Sequence, residues 1–168
     1  MHLKFKLMPE TLYLTVNLID RFLARRVVAR TKLQLVGVTA MMLAGKREEM
    51  FPPEVRDFVY ITDSAYTADQ IFALEEEMLA TIEYRLEAPT AYSFIPRLLR
   101  AVNADERSRE GRLTLFLAER ALQEYSLLRH APSALAAAAL NVALRTLRGP
   151  LAWTEAAERA SGLRQSDL

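Results

Sequence analysis

The chain of 168 residues carries 22 Lys and Arg against 21 Asp and Glu, so its formal net charge of +1 gives no global field for binding nucleic acid or an anionic membrane. About half of the residues are apolar (51%), which is typical of a protein that buries a core, and the absence of Cys excludes disulfides, thiol catalysis and Cys-based zinc sites. No apolar run approaches the ~20 residues of a membrane span, and the first nine residues lack the apolar segment of a signal peptide, so we expect an intracellular protein.

Apolar residues recur every three to four positions in the first part of the chain, which is the spacing of amphipathic helices. The segment Glu10–Ala24 has one such stripe. The next segment, Thr31–Gly45, is apolar on nearly every side, which predicts a central helix surrounded by others. Within it, Gly37 is expected to let a neighbouring helix come close.

Proline and capping signals organise the segment that follows. Pro52 and Pro53 redirect the chain and open a short helix that runs through Val59. Thr67 and Gln70 have the spacing of a capping box, which predicts the start of a long helix. The apolar face of this helix consists of Ile71, Leu74, Met78, Leu79 and Ile82.

Pro89 and Thr90 interrupt the helical pattern, so we expect two domains, residues 1–88 and 89–168. The second domain repeats the organisation of the first. Its predicted helices are Tyr92–Val102, with Pro96 as a candidate for a kink, then Arg107–Leu128, Pro132–Leu147 and a last one beginning at Thr154–Ala160. The stripe of Arg107–Leu128 passes through Leu113, Phe116, Leu117 and Ala121, and Pro132–Leu147 is a second helix that is apolar on all sides. No alternating strand pattern occurs, so the predicted fold class is all-α.

Motifs for catalysis are missing from the sequence. There is no Gly-rich phosphate loop, no His-Glu-x-x-His helix and no Asp-rich calcium loop, and two His leave little room for a metal site. We therefore predict no catalytic residue, no metal and no cofactor. Adjacent carboxylates such as Glu48 and Glu49 are interpreted as a solvated face.

The most unusual segment is 42–55, where an apolar helix ends, charged residues follow at once and two prolines redirect the chain. The residues alone leave two interpretations open. Lys46 and Arg47 could complement the negative end of the helix dipole. Alternatively, Lys46 could be an exposed donor at the rim of an apolar surface, able to cap the backbone carbonyls of a partner.

This segment and several others resemble the cyclins, most closely the mitotic B-type members. The resemblance is carried by Met8–Leu14, Val16–Leu23, Lys32–Gly37, Lys46–Val55 with its E-E-x-x-P-P-E-V core, and Phe58–Asp63. It is dense over residues 3–100 and thinner towards the end of the chain. It implies a cyclin-like fold of two helical boxes, each built around a central apolar helix.

Cyclins have no catalytic activity of their own, and the resemblance implies that this chain activates a cyclin-dependent protein kinase by docking against the kinase's mobile regulatory helix. By position, Lys46 would donate to carbonyls near that helix and Glu75 would accept from N–H groups at its start. The apolar surface between them would consist of Leu43, Leu79, Tyr84 and Leu86. Arg47 belongs to the same kinase-binding set, although it stands where the family usually carries an aromatic residue.

The resemblance also implies that both boxes are incomplete and that the chain is truncated. Most of the first helix of box 1 has no counterpart before Met1, and the last helices of box 2 have none after Leu168. The missing first helix forms much of the groove that recruits substrates or inhibitors bearing an Arg-x-Leu motif, so we expect such recruitment to be weakened. The remainder of that groove consists of Arg30, Leu33 and Gln34. The usual Arg partner of Asp20 is missing as well, which would leave this carboxylate unpaired.

Three functions remain open at this point, of which we favour the first. It is a regulatory subunit that forms a heterodimer with a cyclin-dependent Ser/Thr kinase and activates it at the G2-to-mitosis transition, in the nucleus and cytoplasm. The second is a degenerate cyclin-fold module that binds a partner without activating a kinase. The net charge argues against nucleic acid as that partner. The third is a small helical enzyme, and the only feature that favours this function is the large number of carboxylates.

Overall fold

The computed structural model describes residues 1–150 and 152–168, and within these ranges every regular element is a helix. This confirms the all-α prediction. The α-helices are α1 His2–Phe5, α2 Pro9–Leu23, α3 Leu33–Glu48, α4 Val55–Ile61, α5 Ala68–Thr81, α6 Ala91–Ala101, α7 Arg109–Ala121, α8 Pro132–Arg148 and α9 Glu155–Ser161. Short 3₁₀ helices lie at Arg30–Lys32, Tyr125–Arg129 and Gln165–Asp167. Contacts divide the chain into two compact units, Met1–Ala88 and Pro89–Leu168.

In the first unit α3 is the central helix, and it packs against α2, α4 and α5. Its residues from Val38 to Gly45 are all buried, and burial of consecutive residues means that neighbours surround the helix. Two clusters of apolar side chains lie around it. One contains Phe22 and Ile82, and the other contains Phe58 and Ile71. Gly37 does not mark a close approach, because a Cβ built there would meet nothing within 4 Å.

Helix α5 begins with the capping box that the sequence predicted. The Thr67 hydroxyl accepts from the Gln70 backbone N–H at 3.3 Å, and the Gln70 side chain accepts from the Thr67 N–H at 2.9 Å. These two hydrogen bonds satisfy backbone donors that a helix start leaves free. The capping box therefore fixes where α5 begins, and with it the position of every side chain on the helix.

In the second unit α8 is central and packs against α6, α7 and α9. Its wrapping is less complete than predicted, since Val142 is exposed and Leu135 and Ala138 are only half-buried. The three packing helices contact the opposite side, where Ala136, Leu140 and Leu144 are fully buried. Helix α6 continues through Pro96.

The predicted helix Arg107–Leu128 is wrong at both ends and in the face that it buries. It begins at Arg109, because Ser108 is the N-cap and accepts from the Gly111 N–H, and it ends at Ala121. Glu124 then adopts an extended backbone and caps the 3₁₀ helix that follows. The buried side chains of α7 are Thr114 and Ala118, whereas Phe116 is exposed. The helix therefore buries a face of small residues and not its most hydrophobic face.

Candidate functional site

The last turn of α3 and the middle of α5 bring Lys46 and Glu75 together. The Lys46 ammonium nitrogen lies 2.5 Å from the Glu75 carboxylate oxygen, and it lies 5.8 Å from the centre of the Phe72 ring. The Lys46 side chain is 47% exposed, whereas that of Glu75 is only 14% exposed. A largely buried carboxylate thus has its charge balanced by a cation whose remaining donors face water.

The sequence prediction placed these two charges at separate ends of an apolar surface, but in the free chain they form one ion pair. The long Lys side chain allows this, because its four-carbon stem lets the ammonium group reach across to α5. Helix α3 also ends here, so the ammonium group sits near the negative end of the helix dipole. Lys46 can therefore both complement the helix dipole and serve as an exposed donor, the two interpretations that the sequence left open.

A second ion pair lies next to the first along the chain. The Arg47 guanidinium donates to the Glu87 carboxylate at 2.8 Å. Arg47 is 43% exposed and Glu87 is 85% exposed, so this pair lies in solvent. Exposed pairs of this kind contribute only about 0–1 kcal/mol to stability, and salt screens them further.

The predicted apolar residues differ in how much surface they offer. Leu43 is 3% exposed and belongs to the core cluster of the first unit, so it packs beneath the predicted kinase-binding surface and is not accessible to a partner. Leu79 and Leu86 pack against that same cluster and are half-buried. Tyr84 is exposed, in a left-handed backbone conformation with φ of 56°. Of the four predicted apolar residues, Leu79, Tyr84 and Leu86 therefore offer accessible surface, and Phe72, which is 45% exposed, adds apolar area beside Lys46.

The three residues predicted for a recruitment groove lie at the entry to α3. Arg30, Leu33 and Gln34 are all exposed. Beside them, an open cavity of about 800 Å³ lies between α3, α5 and the connection from α2 to α3. Its lining includes Phe22, Lys32 and Leu35 but none of the three predicted residues. Their role in recruitment stays a prediction.

Glu49 has a structural role that the sequence interpretation missed, and its assignment to a solvated face is wrong. Its carboxylate accepts from the Met8 backbone N–H at 2.7 Å and from the Thr11 hydroxyl at 2.5 Å. The N-cap residue of α2, Met8, supplies no side-chain cap of its own. Glu49 therefore caps α2 from the end of α3, at the positive end of the α2 dipole.

Asp20 is half-buried on α2, and its carboxylate has no hydrogen bond or ion pair within the described ranges. Burial alone raises the pKa of Asp20, because a charged carboxylate loses hydration there without gaining a partner. The neighbouring Arg21 donates to the Asn17 side chain at 3.4 Å instead. This agrees with the expectation that the partner of Asp20 is missing.

Residues 1–150 and 152–168 contain neither a metal-binding cluster nor a membrane-spanning helix. No group of three or more acidic or His side chains could hold a metal ion there. No helix there has both the length and the apolar character needed to cross a membrane.

Comparison with known proteins defines the class. The cyclin N-terminal domain model matches residues 1–87 and the cyclin C-terminal domain model matches residues 89–168. Among curated proteins, Cyclin-B1-1 of Oryza sativa subsp. japonica is 46% identical over 170 residues, which cover 99% of this chain and 38% of that protein. The G2/mitotic-specific cyclin-B of Arbacia punctulata is 49% identical over 146 residues, which cover 87% of this chain and 35% of that protein.

A solved structure gives the same fold. A viral cyclin from herpesvirus saimiri superposes with a TM-score of 0.85, at 21% identity, over 96% of this chain and 72% of the viral chain. Two helical units around central helices α3 and α8 are therefore the cyclin fold, as the sequence predicted. The chain belongs to the cyclin family. It spans less than half the length of the two curated relatives described above.

Family membership also agrees with the prediction that the chain is not an enzyme, since cyclins are regulatory subunits without catalytic residues of their own.

Proposed function

We propose that this chain binds a cyclin-dependent Ser/Thr kinase and activates it at the transition from G2 to mitosis. The observation that carries the proposal is the ion pair of Lys46 and Glu75 beside the half-buried side chains of Leu79 and Leu86. The names of the relatives, which include G2/mitotic-specific cyclin-B, support the proposed stage of the cell cycle.

The physical basis is the match between a charged pair and the ends of a helix. A helix presents free N–H groups at its start and free carbonyls at its end. Lys46 can donate to such carbonyls and Glu75 can accept from such N–H groups, so the pair exchanges its internal bond for bonds to the kinase helix. Leu79, Tyr84 and Leu86 would bury their apolar area against that helix at the same time.

Activation then follows from selective binding. A protein kinase needs its Lys–Glu ion pair and its metal-binding Asp in place before phosphoryl transfer can occur. A partner that binds only the aligned conformation shifts the population towards it by its differential affinity. The chain would contribute no reacting group, only a surface that holds the kinase helix in place.

The test is the affinity for a recombinant mitotic cyclin-dependent kinase, measured by calorimetry. We expect Lys46→Ala combined with Glu75→Ala to weaken binding by about 2–5 kcal/mol, the usual cost of truncating charges in a desolvated interface. The matched control is Lys32→Ala combined with Glu76→Ala, which removes the same two residue types at exposed positions, one just before α3 and one next to Glu75 on α5. Equal affinities for the unmodified chain and the Lys46/Glu75 variant would contradict the proposal.

The alternative is a cyclin-fold module that binds without activating. The observation in its favour is Arg47, which occupies a position of the predicted kinase-binding set with a guanidinium and is paired to Glu87. A phosphorylation assay on the complex separates the two functions. Activation predicts a large increase in phosphate transfer by the kinase on adding the chain, whereas the module predicts binding with no increase.

The proposal extends to the nucleus and cytoplasm as the sites of action, and to weak recruitment of substrates or inhibitors bearing an Arg-x-Leu motif through Arg30, Leu33 and Gln34. The exposure of these three side chains supports the second point. Imaging of a fluorescent fusion through the cell cycle tests the first. Titration with a labelled Arg-x-Leu peptide tests the second, with Leu33→Ala as the variant expected to bind less.

A further inference from the structure

Arg47 and Lys46 are adjacent cations that hold very different carboxylates. Lys46 is tied to Glu75, whose side chain is 14% exposed, whereas Arg47 is tied to Glu87, whose side chain is 85% exposed. If Lys46 left without a replacement donor for Glu75, a largely buried charge would stay behind without compensation, so this pair opens only where a partner supplies N–H groups to Glu75. If Arg47 left, Glu87 would simply be hydrated by the water that already surrounds it.

The guanidinium of Arg47 is therefore the cation that can change partner at low cost. It lies beside the proposed kinase-binding surface, because Leu86 directly precedes Glu87 in the chain and is half-buried against the same core as Leu79. A partner carboxylate that reaches Arg47 competes with Glu87 for the guanidinium, and Glu87 can give it up at little cost because its side chain is 85% exposed and stays hydrated. The planar fork of Arg47 suits a carboxylate, which it can bind through two parallel N–H···O bonds.

We propose that Arg47 is a specificity-determining residue that pairs with a carboxylate on the surface of the partner kinase, and that Glu87 holds the guanidinium in the free chain as an internal competitor. This inference rests on the proposed function. The partner that it selects carries an Asp or Glu next to its docked regulatory helix. A kinase with Lys or Arg there is disfavoured, because two cations would then meet in a desolvated interface.

The experiment measures the affinity of the same recombinant mitotic cyclin-dependent kinase for variants of the full chain at several salt concentrations. Arg47→Gln is expected to weaken binding about tenfold and to make the affinity less dependent on salt. Glu87→Gln is expected to strengthen binding about threefold, since it removes the competitor at an exposed position. In the Arg47→Gln background, Glu87→Gln should not change the affinity for the kinase, because no guanidinium is left for Glu87 to pair with.

Arg47→Lys is the conservative variant, and it separates charge from geometry. It keeps the charge but loses the fork, so we expect an affinity between those of the unmodified chain and Arg47→Gln. Unfolding by urea checks that each variant is folded, and these exposed positions should change stability little.

The outcomes separate the two hypotheses. The inference is overturned if Arg47→Gln and Glu87→Gln both bind like the unmodified chain while the Lys46/Glu75 variant loses affinity, and the proposed function then stands. It is also overturned if Glu87→Gln strengthens binding equally with and without Arg47. If the unmodified chain binds no kinase, the proposed function and the inference that rests on it both fail.

Discussion

Acidic side chains with limited exposure differ in this chain in whether a cation pairs with them. Glu75 and Asp20 are both acidic side chains with limited exposure, yet only Glu75 has a cation within hydrogen-bonding distance. The difference matters because an unpaired carboxylate in a poorly hydrated place destabilises the fold, whereas a paired one is compensated. Asp20 is therefore the residue at which a conservative change should improve stability.

We expect Asp20→Asn to raise the free energy of unfolding near pH 7 by about 0.5–1 kcal/mol. The pKa of Asp20 is raised by burial above its ordinary value of 3.8, so the charged form is disfavoured in the folded state. The destabilisation is complete above the folded-state pKa and disappears as the pH falls to the unfolded value. Urea unfolding of both proteins near pH 7 and at about pH 4 should therefore show a gain that shrinks in acid.

The control for that experiment is Asp63→Asn, an acidic residue at an exposed position. It should change stability by no more than about 0.5 kcal/mol at either pH. A gain for Asp20→Asn that stays constant with pH would contradict the assignment, because it could not then come from the carboxylate charge.

Helix ends in this chain are stabilised by residues from distant segments as well as by local caps. Helix α5 has its capping box within four consecutive residues, but α2 receives its cap from Glu49, which follows α3. This contact connects the start of α2 to the end of α3, the turn that also carries Lys46. By capping α2, Glu49 therefore also helps to position the end of α3, which carries Lys46 of the proposed kinase-binding pair.

Glu49→Ala is expected to lower the free energy of unfolding by about 1–2 kcal/mol, the usual cost of losing an N-cap. It removes the acceptor of both the Met8 N–H and the Thr11 hydroxyl. Glu48→Ala is the matched control, since no hydrogen bond or ion pair of Glu48 is found in the described ranges, and it should cost less than about 0.5 kcal/mol. Equal losses for both variants, measured by urea unfolding, would show that Glu49 is not a cap.

Two of the helical glycines, Gly37 and Gly111, should respond to substitution by alanine with changes in stability of opposite sign. A Cβ at Gly111 would overlap the carbonyl oxygen of Asp105 and lie 2.7 Å from the Cα of Glu106, and neither backbone atom can move aside cheaply. We expect Gly111→Ala to cost about 3 kcal/mol. Gly37 has open space around a Cβ, so Gly37→Ala should stabilise by about 0.5–1 kcal/mol through helix propensity. Urea unfolding of both variants measures these changes in stability. A stabilising Gly111→Ala together with a destabilising Gly37→Ala would contradict this packing.

For the whole molecule, charge is balanced both in total and locally. The connection from α2 to α3 contains four cations within eight residues, Arg25, Arg26, Arg30 and Lys32. Two of them face acids of the same unit, with Arg25 at 3.8 Å from Glu83 and Arg26 at 3.6 Å from Glu77. The most basic segment of the first unit is thus partly neutralised, which lowers the number of its cations that are free to contact a phosphate backbone.

We therefore expect no binding to duplex DNA of random sequence in a mobility-shift assay at about 0.15 M salt, up to chain concentrations of about 100 μM. Non-specific affinity depends on the number of phosphates that cations neutralise, and a net charge of +1 with Arg25 and Arg26 facing acids leaves little excess of positive charge. Glu77→Gln combined with Glu83→Gln would unmask Arg25 and Arg26, and it should produce weak binding that salt abolishes. Binding by the unmodified chain would contradict this charge argument.

The amino-acid sequence was enough to predict the helical class, the central helix α3, the capping box of α5 and the family. These follow from local patterns, since helical periodicity, capping and motif order are properties of consecutive residues. The residues alone also named Lys46 as a possible donor to a partner, whereas Glu75 was named only through the resemblance, and the contact between the two was not predicted.

Which residues contact each other, and which helix faces are buried, depends on tertiary packing. Glu49 contacts Met8 and Thr11 across about forty residues of chain, and no local pattern encodes that pairing. The face of α7 that is buried, and the close approach at Gly111 rather than Gly37, depend on how neighbouring helices cross. Helix crossing is set by the packing of whole surfaces, so periodicity within one helix cannot specify it.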